Sequence, residues 1–105
     1  DENRKLVYLK ASNETLYARR IVVDQKTWAD YVFRDDYELL PLNLVEEFII
    51  KHGHLPNVPN EDEVTEEGVD LAEMNKILLE KVEELTLYTI EQQKEIERLK
   101  EIVKK

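Results

Sequence analysis

Residues 71–105 read LAEMNKILLEKVEELTLYTIEQQKEIERLKEIVKK. This stretch of 35 residues holds neither glycine nor proline, the two residues that most often stop a helix. Asp70 stands before it as an N-cap, with Glu73 three positions on. A helix of that length spans roughly 52 Å at about 1.5 Å per residue. A compact chain of about 100 residues has a radius of gyration near 13 Å. The helix is therefore too long to hide in its own chain. It must project, and something must cover its apolar stripe.

The stripe follows a heptad. With Leu71, Leu78, Leu85, Gln92 and Leu99 at position d, Asn75, Val82, Thr89, Ile96 and Val103 fall at position a. Seven of these ten are aliphatic, which is the pattern of a coiled coil. Glu95 at g and Lys100 at the following e match the charge pairing of parallel chains, a rim contact worth little by itself. β-branched residues at a with Leu at d favour two strands, and Asn75 agrees. Thr89 and Gln92 are adjacent polar layers that this rule does not settle. Met74, Ile77, Leu79, Leu87 and Ile90 add apolar surface beyond the seam in the first half only. That half is expected to carry a head, packed through the helix that contains Leu42, Val45, Phe48 and Ile49. From Glu91 onward the helix should be bare coil.

Upstream, Lys5-Leu6-Val7-Tyr8-Leu9-Lys10 and the segment 15–23 are short, apolar and β-prone, with a turn at Ala11-Ser12-Asn13-Glu14. Two strands do not make a stable sheet alone. They would pair with other chains or continue a β-structure begun upstream. The segment from Trp28 to Tyr37 holds most of the aromatic bulk. Pro41 suits a helix start and Gly53 a left-handed stop. His54-Leu55-Pro56-Asn57-Val58-Pro59 reads as extended chain, because each proline disfavours helix in the residue before it. Asn60 caps a short helix with Glu63, and Gly68 closes it. The expected fold class is α+β. Strands occupy 1–26, a small head with two short helices and a proline loop occupies 27–70, and a long coiled-coil helix occupies 71–105.

Composition narrows function. The net charge is −9 with 24 acidic and 15 basic residues in 105, so a phosphate backbone or an anionic membrane surface would be repelled. No apolar run approaches the roughly 18 residues of a membrane span. Cysteine is absent, which removes disulfides, thiolate metal sites and cysteine nucleophiles. The opening Asp1-Glu2-Asn3-Arg4-Lys5 has no signal-peptide character and predicts a piece of a longer protein.

Several motifs in order carry a family resemblance: Trp28-Ala29-Asp30-Tyr31-Val32-Phe33, Asp36-Tyr37-Glu38-Leu39, His54-Leu55-Pro56-Asn57-Val58-Pro59, Gly68-Val69-Asp70-Leu71-Ala72-Glu73-Met74-Asn75 and Glu83-Glu84-Leu85-Thr86-Leu87-Tyr88. Together they resemble the C-terminal module of bacterial and phage tail-fibre or surface-fibre proteins. In architecture the chain is similar to the endosialidase-type intramolecular chaperone domains. The resemblance implies a homotrimer, with a shaft of intertwined β-structure ending in this module and three helices closing it. The strands 6–9 and 16–23 would then be the last shaft rungs. It also implies an extracellular, cell-surface or particle-tail location, and the rest of a parent fibre as neighbour. Three copies conflict with the two that the heptads favour. The strands that need partners tip the reading to three.

The chemistry-bearing residues are few. The self-cleaving chaperone relatives use a serine, and the lone serine is Ser12. A nucleophile needs a base held beside it, and nothing in the sequence places one there. The chain reads as no enzyme, with no cofactor. His52 and His54, repeated about a three-fold axis, are a candidate metal set. The simpler role for His52 is a cation at a helix C-terminus. Glu61, Asp62, Glu63, Glu66, Glu67, Asp70 and Glu73 lack the calcium-loop spacing and read as a solvated acidic face. Trp28, Tyr31 and Tyr37 are candidate glycan-stacking residues, weighed against a core role, since aromatics dominate small cores. Arg19-Arg20 is too small a pair to be a basic patch. The leading expectation is a structural oligomerisation and folding module. A glycan-binding fibre tip and a cytosolic coiled-coil adaptor are the alternatives.

Overall fold

The computed structural model describes residues 15–104. It holds a short 3-10 turn (Asp30–Phe33) followed by three α-helices: α1 (Leu42–His52), α2 (Glu61–Glu67) and α3 (Leu71–Lys104). No strand occurs among the described residues, so the α+β expectation is corrected to an all-α fold. Residues 16–23 have exposed side chains and no ladder. Their β-branched composition favours a pleated surface only where another strand pairs with it. The expected strand 6–9, the turn after it and Ser12 lie outside the described residues.

Each helix is bounded by the chemistry its flanks provide. The Pro41 carbonyl accepts from Leu44 and Val45, so proline sits where its missing N–H costs nothing. Gly53 ends α1 at φ 77°, and its N–H donates to the Ile49 carbonyl at 2.7 Å. Asn60 Oδ1 accepts from Glu63 N–H at 2.9 Å to open α2. Asp70 Oδ1 accepts from Glu73 N–H at 3.1 Å to open α3. The proline loop is not extended throughout. Val58 N–H donates to the Leu55 carbonyl at 3.3 Å, and Asn57 has φ 62°. Proline followed by a left-handed residue makes a tight turn, and asparagine tolerates that position.

The molecule measures 67 × 33 × 27 Å with a radius of gyration of 19.9 Å. That is well above the roughly 13 Å of a compact chain this long. Most of the length is α3, roughly 51 Å at about 1.5 Å per residue. Its residues 92–104 are exposed throughout and stand clear of the head.

The head packs on α3 differently from expectation. The element packed most closely on α3 is the 3-10 turn rather than α1. A strap formed by residues 25–40 runs along the helix in the same direction. Gln25 donates to the Ala72 carbonyl, the Tyr31 hydroxyl to Glu80, the Tyr37 hydroxyl to Glu84, and the Tyr88 hydroxyl to the Leu40 carbonyl. The partners are 47 to 49 positions apart at all four points. From Ala72 to Tyr88 the helix rises roughly 24 Å. The strap must therefore advance at only about 1.6 Å per residue, half the rise of extended chain. The 3-10 turn and the turn closed by Tyr37 N–H on the Arg34 carbonyl (3.1 Å) provide that shortening.

Ala29 and Val32 are the only fully buried apolar residues among those described. Both lie in the strap. A core this small is far below what an isolated domain uses to offset its chain entropy.

Candidate functional site: the uncovered face of the long helix

All ten predicted seam residues are exposed: Leu71, Asn75, Leu78, Val82, Leu85, Thr89, Gln92, Ile96, Leu99 and Val103. Among the aliphatic ones, exposure runs from 46% at Ile96 to 82% at Val103. The first half of α3 makes the point most sharply, because there the head could have covered them. Within 71–90 every seam position is exposed, and the only other exposed positions are Glu73, Thr86 and Ile90. The head thus avoids the a/d stripe and occupies the opposite side. Glu80 sits at position f and Glu84 at c, the backs of the heptad.

Polar seam residues are prepared for cover to different degrees. The Thr89 hydroxyl donates to the Leu85 carbonyl at 2.9 Å, so its hydrogen bond is already made within the helix. Its methyl is then free to face a partner. Glu95 and Lys100, expected to pair between chains, have partners on their own helix: Arg98 at 2.7 Å and Glu97 at 3.7 Å respectively. The Arg98 guanidinium hydrogen-bonded to Glu95 holds that carboxylate below its usual range.

The strap side carries the site's electrostatics. Lys81 lies 3.1 Å from Glu84 and 3.4 Å from Glu80, so both tyrosine-bound carboxylates share one ammonium. The hydrogen bond to Glu80, with burial and the neighbouring carboxylates, pushes the Tyr31 hydroxyl up to about 12. Burial, then the bond to Glu84, raises Tyr37 as well. Glu83 is 7% exposed and its Oε2 lacks a hydrogen-bond partner. Burial and the nearby Asp30 carboxylate raise its pKa. Nothing in the local sequence marks this buried acid, because Glu83 stands among charged residues that read as solvated.

The remaining candidates are placed as follows. Trp28 is 53% exposed, while Tyr31 and Tyr37 are half-buried with their hydroxyls turned to α3. Their rings lie 6.0 Å apart and tilted by 37°, not stacked as one platform with Trp28. The His52 and His54 rings are 6.2 Å apart, with Phe48 against both at 4.3 and 5.4 Å. No group of three or more metal-ligating side chains occurs among the described residues. The acidic residues between Glu61 and Glu73 are exposed; Glu61, Asp62, Glu63 and Glu73 lie in the first turns of α2 and α3, where the helix dipole favours them, while Glu66 and Glu67 end α2. No described helix is long and apolar enough to cross a membrane.

An open apolar groove of about 430 Å³ lies between α1, the proline turn and α3. Leu40, Leu42, Val45, Leu55, Leu85 and Tyr88 are among its lining residues. It lies where α1 and α3 would otherwise close on one another. Sequence reasoning missed it, since Leu42 and Val45 have the spacing of residues that would close on a neighbouring helix.

Comparison with protein-family models, with curated proteins and with solved structures finds no match to the chain.

Proposed function

We propose that the chain is an oligomerisation and folding module that joins copies of itself through a parallel coiled coil along α3. The observation that carries the reading is the division of α3 into two faces. The strap binds one, and the complete a/d seam is left open on the other. Burying a Leu, Ile or Val side chain contributes roughly 1.5–3 kcal/mol. Seven such residues per chain lie exposed along the stripe. The core offers two buried apolar side chains among the described residues. Helices also form fast and locally, so a coil can set chain register before slower contacts form.

We assign three copies and a place at the C-terminal end of a fibre-like protein outside the cell or on a particle tail. Both rest on the order of the motifs between Trp28 and Tyr88 and on the family they resemble. The argument from strands needing partners no longer adds to this, since residues 16–23 form none. A homodimer is the second reading, favoured by β-branched residues at Val82, Ile96 and Val103 with Leu at d. Light scattering on the full chain across a dilution series tests both. Deleting residues 85–105 from a longer parent should abolish its assembly; a deletion that leaves the parent fully assembled would reject the folding role.

A further inference from the structure

We infer that the groove between α1 and α3 is an intersubunit socket that receives the Thr86–Ile90 flank of the next copy's long helix. The inference rests on the parallel coiled coil proposed above and names a contact outside its seam. Three observations converge on it. Leu85 is both a seam residue at d and a lining residue of the groove, so a chain that covers the seam arrives at the groove's lip. Of the other α3 residues in the groove, Lys81 and Tyr88 stand at position g and Glu84 at c, just behind them. On the first half of α3, Ile90 is the one apolar residue outside the seam that the head leaves exposed, at 45%. Thr86, one turn before it, is exposed as well.

Heptad geometry brings these together. At about 100° per residue the positions run around the helix in the order a, e, b, f, c, g, d. In a parallel coil the g flank of one helix faces the e flank of its neighbour. Thr86 is at e and Ile90 at b, immediately behind it. They therefore lie on the side that meets the neighbour's Lys81, Leu85 and Tyr88. Helix α1 lines the same groove through Leu42, 44% exposed, and Val45. An antiparallel coil would instead set g against g, groove against groove, and leave Ile90 in solvent. The socket thus ties chain direction to the head and explains two features the seam leaves unused.

The absence of cysteine makes the test direct. The 105-residue chain is prepared as L42C, I90C, the double variant L42C/I90C and the seam control I96C. Each is treated with a short bismaleimide and resolved by denaturing electrophoresis, with helicity checked by circular dichroism. The double variant should give covalent multimers, neither single variant should, and I96C should cross-link because position a faces its own copy. I90E should also weaken association at least tenfold while leaving helicity at high concentration unchanged. Multimers from I96C without multimers from the double variant would overturn the socket and leave the coil standing. Failure of I96C together with a monomeric unmodified chain would overturn both. Cross-linking of L42C alone would point to groove meeting groove and would also reject the proposal.

Discussion

The Tyr31 hydroxyl donates to the Glu80 carboxylate, and one helical turn later Tyr37 does the same to Glu84. Both acceptors face away from the a/d seam, so the head is fastened to the back of the helix and the seam is left open. Hydrogen bonds to charged acceptors contribute about 1.5–3 kcal/mol when partly buried. Tyr31→Phe or Tyr37→Phe should loosen the strap by roughly that amount without touching the seam. Trp28, carried on the strap, reports it: quenching by acrylamide should rise in either variant while the solution mass stays unchanged. Unchanged quenching would show that the buried Ala29 and Val32 and the remaining strap bonds hold it without that hydroxyl.

The same bonds make docking sensitive to alkali. Tyr31 is raised to about 12 by its bond to Glu80, and Tyr37 and Tyr88 are raised as well. A raised folded value means the contribution is complete below pH about 10, where an unfolded tyrosine is still protonated. It is lost as pH climbs from there through about 12. Near-ultraviolet absorbance should show three tyrosines ionising late, together with release of the strap. Ionisation of all of them near the ordinary value would contradict the bonds.

Glu83 behaves in the opposite spirit to a stabilising carboxylate. Burial and Asp30 raise its pKa, so its protonated form suits the folded state. Its contribution to docking is complete in acid and is lost as pH rises through the raised value. Glu83→Gln should raise thermal stability at pH 7, and the gain should vanish toward pH 4. A loss of stability at pH 7 would mean that the carboxylate finds a partner in the assembled protein.

How far these features could be read from the chain differs with their range. The helices, Gly53, Asn60 and Asp70 were legible because caps and periodicity act within a turn or two. The a/d stripe of α3 was legible as a pattern because a heptad repeats. The segment 16–23 was misread because Ile21, Val22 and Val23 report a preference that only a neighbouring strand can realise. The strap was not legible, since nothing local says that Tyr31 meets a carboxylate 49 positions away. Lys81 and Glu83 were hidden for a related reason: in a run of alternating charges, only the docked strap distinguishes the buried ones.

The cap of α1 offers a local check. Gly53 holds φ 77° with open space around its α-carbon, so Gly53→Ala would clash with nothing and would still be strained. The expected cost is about 1 kcal/mol, read as a lower melting temperature at fixed chain concentration. A neutral effect would mean that α1 ends elsewhere in solution.

Leu85 tests seam and groove together, because it belongs to both. Leu85→Asp places a charge where copies of α3 would meet. Truncating a buried leucine typically costs about 2–5 kcal/mol, and an unpaired charge costs more. Association should be lost, and the helix beyond Glu91, which has no other cover, should lose helicity with it.

The most direct measurement is the solution mass of the full chain by light scattering over a wide dilution series. Three times the 12.5 kDa of one chain is expected, falling only at high dilution. Twice that mass would keep the coil and replace the trimer with a dimer. A mass of one chain at every concentration would leave the ten seam residues bare in solution and would contradict the proposed function outright.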